Sequence, residues 1–392
     1  MAEKLTVHKD FYLGSLEDPG IEYRTDEFVV NFGPQHPSTH GVLRLEVTTD
    51  GEIVHEVRPH LGYLHRNFEK HAENENYQQI IPYTDRMDYL AAMNMEHGWV
   101  VAVEKLMGLE VNERVQKLRV IFAELQRIAS HMVALGTFSN DAGSQTPFFW
   151  YFRDREMILD LFEMTCGGRL LYNFMWVGGL SHDIPEGFEQ KVLDFLGYME
   201  ARWPEYDRLM TNNHIFVERT ADVGVLPPKI ALEYGCSGPM LRGSGVDWDL
   251  RRDEPYGIYD QLEFDVPLGT GAMGTRGDAW DRYWVRYEEM KQSTRIIRQI
   301  LDDGLPDSDV REDVPRLVRP PKGEVYARNE APRGEVAFYI VSDGSPTPYR
   351  VRARGGSYCN LSCIREIGRG SMIADLIIIL GSIDIVLGEV DR

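Results

Sequence analysis

Between Leu43 and Val57 apolar side chains alternate with polar ones, first at Leu43, Leu45 and Val47, then at Ile53, His55 and Val57, with Asp50-Gly51 between the two runs. Alternation on either side of an Asp-Gly pair predicts a β-hairpin. Glu27 to Asn31 predicts a short strand before it, and residues 1–26 a polar, extended arm. From Asp85 the period changes to that of a helix. Met87, Leu90, Met93 and His97 share one face of a helix expected to end near Gly108. Val115, Leu118, Phe122, Leu125 and Ile128 mark a second helix, running from an Asn112 cap to a stop at Gly136. A Gly/Ser/Asn loop over 136–146 precedes a third helix over 149–164, and a fourth over 185–210 should kink or split at Pro204.

Residues 222–274, rich in Gly and Pro, predict long loops wrapped over these helices, and Trp280, Trp284, Tyr287, Met290 and Ile297 predict a further helix over 278–301. An acidic, proline-bearing linker over 302–321 leads to alternating runs at 324–326, 335–341 and 349–353, read as antiparallel strands, and a last short helix over 371–380. The expected class is α+β. A mainly helical core over 85–301 is flanked by an N-terminal β-hairpin region over 1–84 and a C-terminal β-containing segment over 302–392.

Charge and composition narrow the function. The formal net charge of −20 leaves no basic stripe for phosphates, so nucleic acid is not an expected partner. Cys166, Cys236, Cys359 and Cys363 form no repeated Cys-x-x-Cys pattern, which fits a reduced, cytoplasmic setting. The most apolar stretch, 373–387, is interrupted by Asp375, Gly381 and Asp384, short of the ~20 apolar residues a membrane helix needs. No apolar leader is expected either, so membrane contact would have to come through a partner.

Candidate chemistry begins in the loop Gly33-Pro34-Gln35-His36-Pro37-Ser38-Thr39-His40-Gly41. Two prolines and two glycines keep it from continuing as a helix, so His36 and His40 are presented from a turn; the imidazoles could equally serve only to satisfy nearby carbonyls. His36, His40, His60, His65 and His71 together invite a metal site. No helical histidine pair and no neighbouring thiol supports one. Arg86-Met87-Asp88-Tyr89 joins a cation, a carboxylate and a phenol at an expected helix start, or simply a helix-end charge beside a core tyrosine. Asp141, on the expected loop after the second helix, is either a functional carboxylate or an Asx turn.

Taken in order, the histidine loop continuing through Val42-Leu43-Arg44-Leu45, then Gly62-Tyr63-Leu64-His65-Arg66, Phe68-Glu69-Lys70, Tyr83-Thr84-Asp85-Arg86-Met87-Asp88-Tyr89, Glu124-Leu125-Gln126-Arg127-Ile128-Ala129-Ser130-His131, Phe264-Asp265-Val266-Pro267-Leu268-Gly269, Pro321-Lys322-Gly323-Glu324 and the final Gly388-Glu389-Val390-Asp391-Arg392 resemble the hydrogenase-like quinone-site subunit of respiratory complex I, the D-subunit family of NADH-quinone oxidoreductases. The resemblance covers nearly all of the chain from about residue 27. It implies a peripheral subunit of a proton-pumping NADH (or ferredoxin):quinone oxidoreductase, held at the cytoplasmic face of the membrane. An iron–sulfur subunit carrying the terminal [4Fe-4S] cluster, other hydrophilic subunits and a membrane subunit at the quinone entrance would be its partners. The chain itself would bind no cofactor, and quinone would be the substrate. The family's quinone-head ligands carry over to His40 and Tyr89, its histidine-pairing carboxylate to Asp141, and an arginine close to the partner's cluster to Arg86.

One departure is Leu171, where many members have a histidine linked to proton-coupled tuning of that cluster; with leucine that tuning is expected to be absent, which points to a lower-potential quinone such as menaquinone. The family's fold is similar to that of nickel–iron hydrogenase large subunits. Their cysteine ligands correspond here to Asp88, Ala91, Val386 and Glu389. With no thiolate at any of the four, hydrogenase chemistry is disfavoured. A non-catalytic scaffold is the remaining alternative.

Overall fold

The computed structural model describes residues 27–392; the arm expected over 1–26 lies outside the described residues. Near the N-terminus the chain forms an antiparallel sheet of β1 (Phe28–Phe32), β2 (Arg44–Asp50) and β3 (Ile53–His60), in the order β1-β2-β3. The hairpin alternates as expected on β2, where Leu45 and Val47 are buried, but not on β3. A register shift between Thr48 and Thr49 turns Val54 inward and leaves Ile53 exposed. An extra residue in one strand reverses which side chains face the core. The inward side chains Leu43, Leu45, Val47, Val54 and Val57 pack with Leu376, Leu380 and Ile383, so the two ends of the chain share one hydrophobic cluster.

The main core is built on α1 (Ala92–Met107), α2 (Glu113–Asp141), α3 (Gln145–Cys166), α4 (Phe188–Tyr206) and α5 (Ala279–Asp303). Asn112 caps α2 by accepting the Val115 N–H at 3.1 Å, and Asp278 caps α5 through the Asp281 N–H at 2.8 Å. Two helix boundaries differ from expectation in ways that matter for the site. Gly136 does not stop α2, which runs on to Asp141 before Gly143, at φ 89°, turns the chain. A Cβ at position 136 would stand 3.5 Å from Phe148 Cα and Tyr151 Cβ. Glycine therefore lets α2 and α3 approach closely, and that packing offsets the ~1 kcal/mol a mid-helix glycine costs. At the other boundary, residues 85–91 are turns rather than the first turns of α1. Asp85 and Asp88 give their carboxyl oxygens to other segments of the chain, which competes with helix formation.

The fourth helix ends two residues after Pro204 and opens into a wide turn over 207–211. Within 222–274, loops alternate with short helices at Pro228–Glu233, Pro239–Gly243 and Leu250–Asp253. The C-terminal sheet comprises β4 (Gly323–Ala331), β5 (Gly334–Ser342) and β6 (Arg350–Arg354). β4 is much longer than its apolar pattern indicated, because Asn329 and Glu330 are buried polar residues in its inner half. The chain ends in α6 (Ile373–Ile383) and a final short helix, α7 (Leu387–Asp391).

A buried ionic network ties the core helices to β4. Arg242 donates to Glu289 at 2.7 and 2.9 Å and to Glu330 at 2.8 Å. Arg251 bridges Asp249 and Glu124, and Arg127 meets Glu124 at 3.1 Å. Three guanidiniums thus face four carboxyl groups. Burial lifts Glu330 to about 6 against the pull of Arg242. Removing one partner from such a network leaves the others buried and uncompensated. Arg242→Ala is therefore expected to cost about 3–5 kcal/mol, read from the urea midpoint of the full chain.

Candidate functional site

The histidine loop is shaped by its own side chains. Pro37–Thr39 make one tight helical turn, with His36 Nδ1 accepting the Ser38 N–H at 3.2 Å at its start. Thr39, almost wholly buried, directs its hydroxyl to the carbonyls of His36 and Gly41 at 2.7 and 2.9 Å. His40 follows at φ 53°, a left-handed backbone that swings its side chain out of the turn. Its Nε2 meets Asp141 Oδ2 at 2.6 Å. Asp141 is in the last turn of α2, not on a loop as expected, so the carboxylate sits on a rigid element. Gly381 of α6 makes room for it: a Cβ there would lie 2.5 Å from Asp141 Oδ2.

His40 is held above its ordinary value. Burial opposes the imidazolium, but the hydrogen bond and charge of Asp141, with Asp384 further off, outweigh burial and the repulsion of Arg333. With Nε2 engaged by Asp141, Nδ1 is the nitrogen left for another group, and only the imidazolium carries a proton there.

Tyr89 comes from the 85–91 turn, and its phenol is raised by burial and by Asp88, so it stays protonated at neutral pH. The turn is fixed from behind. Asp88, fully buried, accepts the Leu90 N–H at 3.2 Å and Arg333 Nη1 at 2.7 Å. Arg333 in turn reaches Ser130 of α2 at 2.9 Å, and the Asp384 carboxylate and carbonyl, each at 3.0 Å. Arg286 completes the cage around the last of these segments by donating to the carbonyls of Ser382 and Ile383 at 2.7 and 2.9 Å.

These segments enclose one cavity of about 410 Å³, lined by His40, Tyr89, Asp141 and Asp384 together with apolar residues including Ile377 and Val386. It offers an imidazole whose protonated form Asp141 favours, a protonated phenol and an apolar wall, a set suited to a flat molecule with two hydrogen-bond-accepting oxygens. Arg86 is not among its lining residues. Its side chain is exposed and donates to the Pro82 carbonyl at 2.6 Å. Nor do the other histidines converge: His60 lies 3.3 Å from Glu46, His65 bonds the Asp391 carbonyl at 2.7 Å, and His71 stacks on Tyr83. Among the described residues no group of three or more His, Cys, Asp or Glu is placed to hold a metal ion.

Sequence reasoning missed Arg333, Asp384 and Gly381. Arg333 occupies the two-residue turn between β4 and β5, where an arginine is ordinarily solvent-exposed. Asp384 registered only as a break in an apolar run, although an aspartate ending such a run is itself a signal of a buried partner.

Residues 141–320 and 312–392 match the family described as respiratory-chain NADH dehydrogenase, 49 Kd subunit. The D subunits of NADH-quinone oxidoreductase from Chlorobium phaeovibrioides and Chlorobium luteolum are 54% and 53% identical to this chain, each over 94% of its length and over 93% and 94% of their own. The protein of the same name from Chlorobaculum tepidum is 53% identical over 94% of this chain and 93% of its own. Such agreement along nearly the whole of both chains, joined to the family match, means that this chain belongs to the 49 kDa-subunit family of respiratory-chain NADH dehydrogenases.

Proposed function

We propose that the cavity takes the head of a quinone between His40 and Tyr89, and that these two side chains supply the protons when the quinone is reduced. The observation that carries this reading is the lining of a single cavity by an Asp141-paired imidazole and a phenol. Reduction to the quinol needs two electrons and two protons. The electrons would come from the terminal [4Fe-4S] cluster of a partner iron–sulfur subunit. One proton leaves His40 Nδ1 for one quinone oxygen, and the other leaves the Tyr89 hydroxyl for the opposite oxygen. His40 then remains hydrogen-bonded to Asp141 through Nε2–H, but the carboxylate's charge is no longer compensated, which favours reprotonation of the ring.

On this reading the chain is a peripheral subunit of a proton-translocating quinone oxidoreductase. Among the described residues no helix is long and apolar enough to cross a membrane, so attachment would run through membrane-embedded partners. Arg86, exposed on the turn that carries Tyr89, is the cation proposed to face the partner's cluster. The fold is proposed to share its ancestry with nickel–iron hydrogenase large subunits. Their metal chemistry finds no support here: none of the four cysteines lines the cavity, and Asp88 is committed to Arg333.

In the assembled complex, His40→Ala and Tyr89→Phe are each expected to lower quinone reduction about 10²-fold while leaving reduction of the partner's cluster intact, as read by steady-state assay and electron paramagnetic resonance. A scaffold would lose neither. Asp141→Asn removes the groups that hold the His40 proton, so burial then drives the ring to its neutral form. The alkaline limb of the pH profile of quinone reduction, set by loss of the His40 proton, is expected to move down by about one unit or more. An unchanged profile would count against the assigned pair.

A further inference from the structure

Asp85 and Glu96 form a second pair of acids, outside the cavity and unused by the chemistry above. Both are almost wholly inaccessible to solvent. Asp85 Oδ2 accepts the backbone N–H groups of Tyr172 and Asn173 at 3.1 and 3.0 Å, and Glu96 Oε2 accepts those of Phe174 and Met175 at 2.9 and 2.6 Å. Four successive N–H groups of one segment are thus divided between two carboxyl groups, one on the 85–91 turn and one on α1. The remaining oxygens, Asp85 Oδ1 and Glu96 Oε1, are buried and find no donor among the described residues, yet the two side chains lie within hydrogen-bonding reach of each other.

Two carboxylates cannot hydrogen-bond unless one of them carries a proton, and a doubly ionised pair would bury two like charges side by side. Little around them could offset that. The charged and titratable groups facing the pair are Arg86, whose side chain is at the surface, the Cys166 thiol and the Tyr172 phenol, with Arg155 beyond the phenol. Burial raises both acids, and the Asp85 charge pushes Glu96 further, well above the ordinary glutamate range.

We propose that Asp85 and Glu96 share one proton, and that this proton clamps residues 172–175 to the turn that carries Tyr89. While it is held, a neutral O–H of one acid donates to the other and all four N–H bonds are kept. When it passes to solvent, two buried carboxylates repel and the clamp loosens. The turn would then lose its tie to residues 172–175 and keep the Asp88–Arg333 contact and the Gln126 amide, which donates to the Leu90 carbonyl at 2.7 Å, so the position of Tyr89 becomes sensitive to pH. This holds whether or not the cavity binds a quinone.

The sign follows from linkage. An unfolded glutamate releases its proton near its ordinary value of 4.5, whereas the folded pair retains one. The stabilisation is whole below that value and is lost as pH rises towards the raised folded value. One retained proton corresponds to about a tenfold fall in the folding equilibrium constant per pH unit. The purified full chain is expected to lose stability between pH 5 and pH 7 by up to about that slope more than Glu96→Gln, whose amide donates permanently to Asp85. Hydrogen exchange supplies the second reading. Corrected for intrinsic rates, protection of the 172–175 amides should fall about tenfold from pH 6 to pH 9 in the wild type and stay flat in Glu96→Gln. Asp85→Asn should behave as Glu96→Gln does. Equal stability slopes in wild type and both variants would overturn the shared proton, and pH-independent wild-type protection would overturn the clamp. Failure of both amide variants to fold would also contradict the proposal, since each mimics the singly protonated pair.

Discussion

The guanidinium of Arg333 is the contact on which the arrangement of the site depends. It is fully buried, and its hydrogen bonds reach three segments far apart in sequence: Asp88 on the 85–91 turn, Ser130 in the middle of α2, and Asp384 where α6 ends. Each segment carries part of the cavity wall. A lone cation buried this deeply would be very costly, but here two carboxyl groups and a hydroxyl surround it and accept from its N–H groups. Asp384 itself adopts a left-handed backbone at φ 59°, and the contacts of Arg333 and Arg286 offset that strain.

Arg333 and Asp141 act on His40 in opposite senses. The arginine repels the imidazolium while the nearer aspartate, in direct hydrogen bond, retains it. Because Asp141 is helical and α6 approaches it across Gly381, the distance that decides the balance is set by packed secondary structure rather than by a mobile loop. Tyr89 is fixed as firmly, through Asp88 on one side and Asp85 on the other. The result is an imidazole and a phenol that line one cavity from separately anchored elements.

Much of this was legible in the chain. Alternation around Asp50-Gly51 indicated the hairpin, and the helical period indicated the principal helices of the core, because both patterns come from one apolar face meeting one core. What the patterns could not convey were positions where polar groups are buried. Asp85 and Asp88 halted a helix that the spacing of Met87 and Leu90 predicted, and Glu330 with Asn329 hid the inner half of β4. Gly136 misled for a related reason, since a glycine that permits close helix packing is indistinguishable in sequence from one that ends a helix. His40, Tyr89 and Asp141 were identified through the family resemblance, whereas Arg333, which organises them, offers no local signal at all in a two-residue turn.

The central claim is that His40 and Tyr89 address the two oxygens of one quinone head within this cavity. It is tested most directly by the structure of the assembled complex with a quinone bound. The account predicts one quinone oxygen within hydrogen-bond distance of His40 Nδ1 and the other within reach of the Tyr89 hydroxyl, with His40 still paired to Asp141. A quinone head bound elsewhere, or one that touches neither side chain, would contradict it.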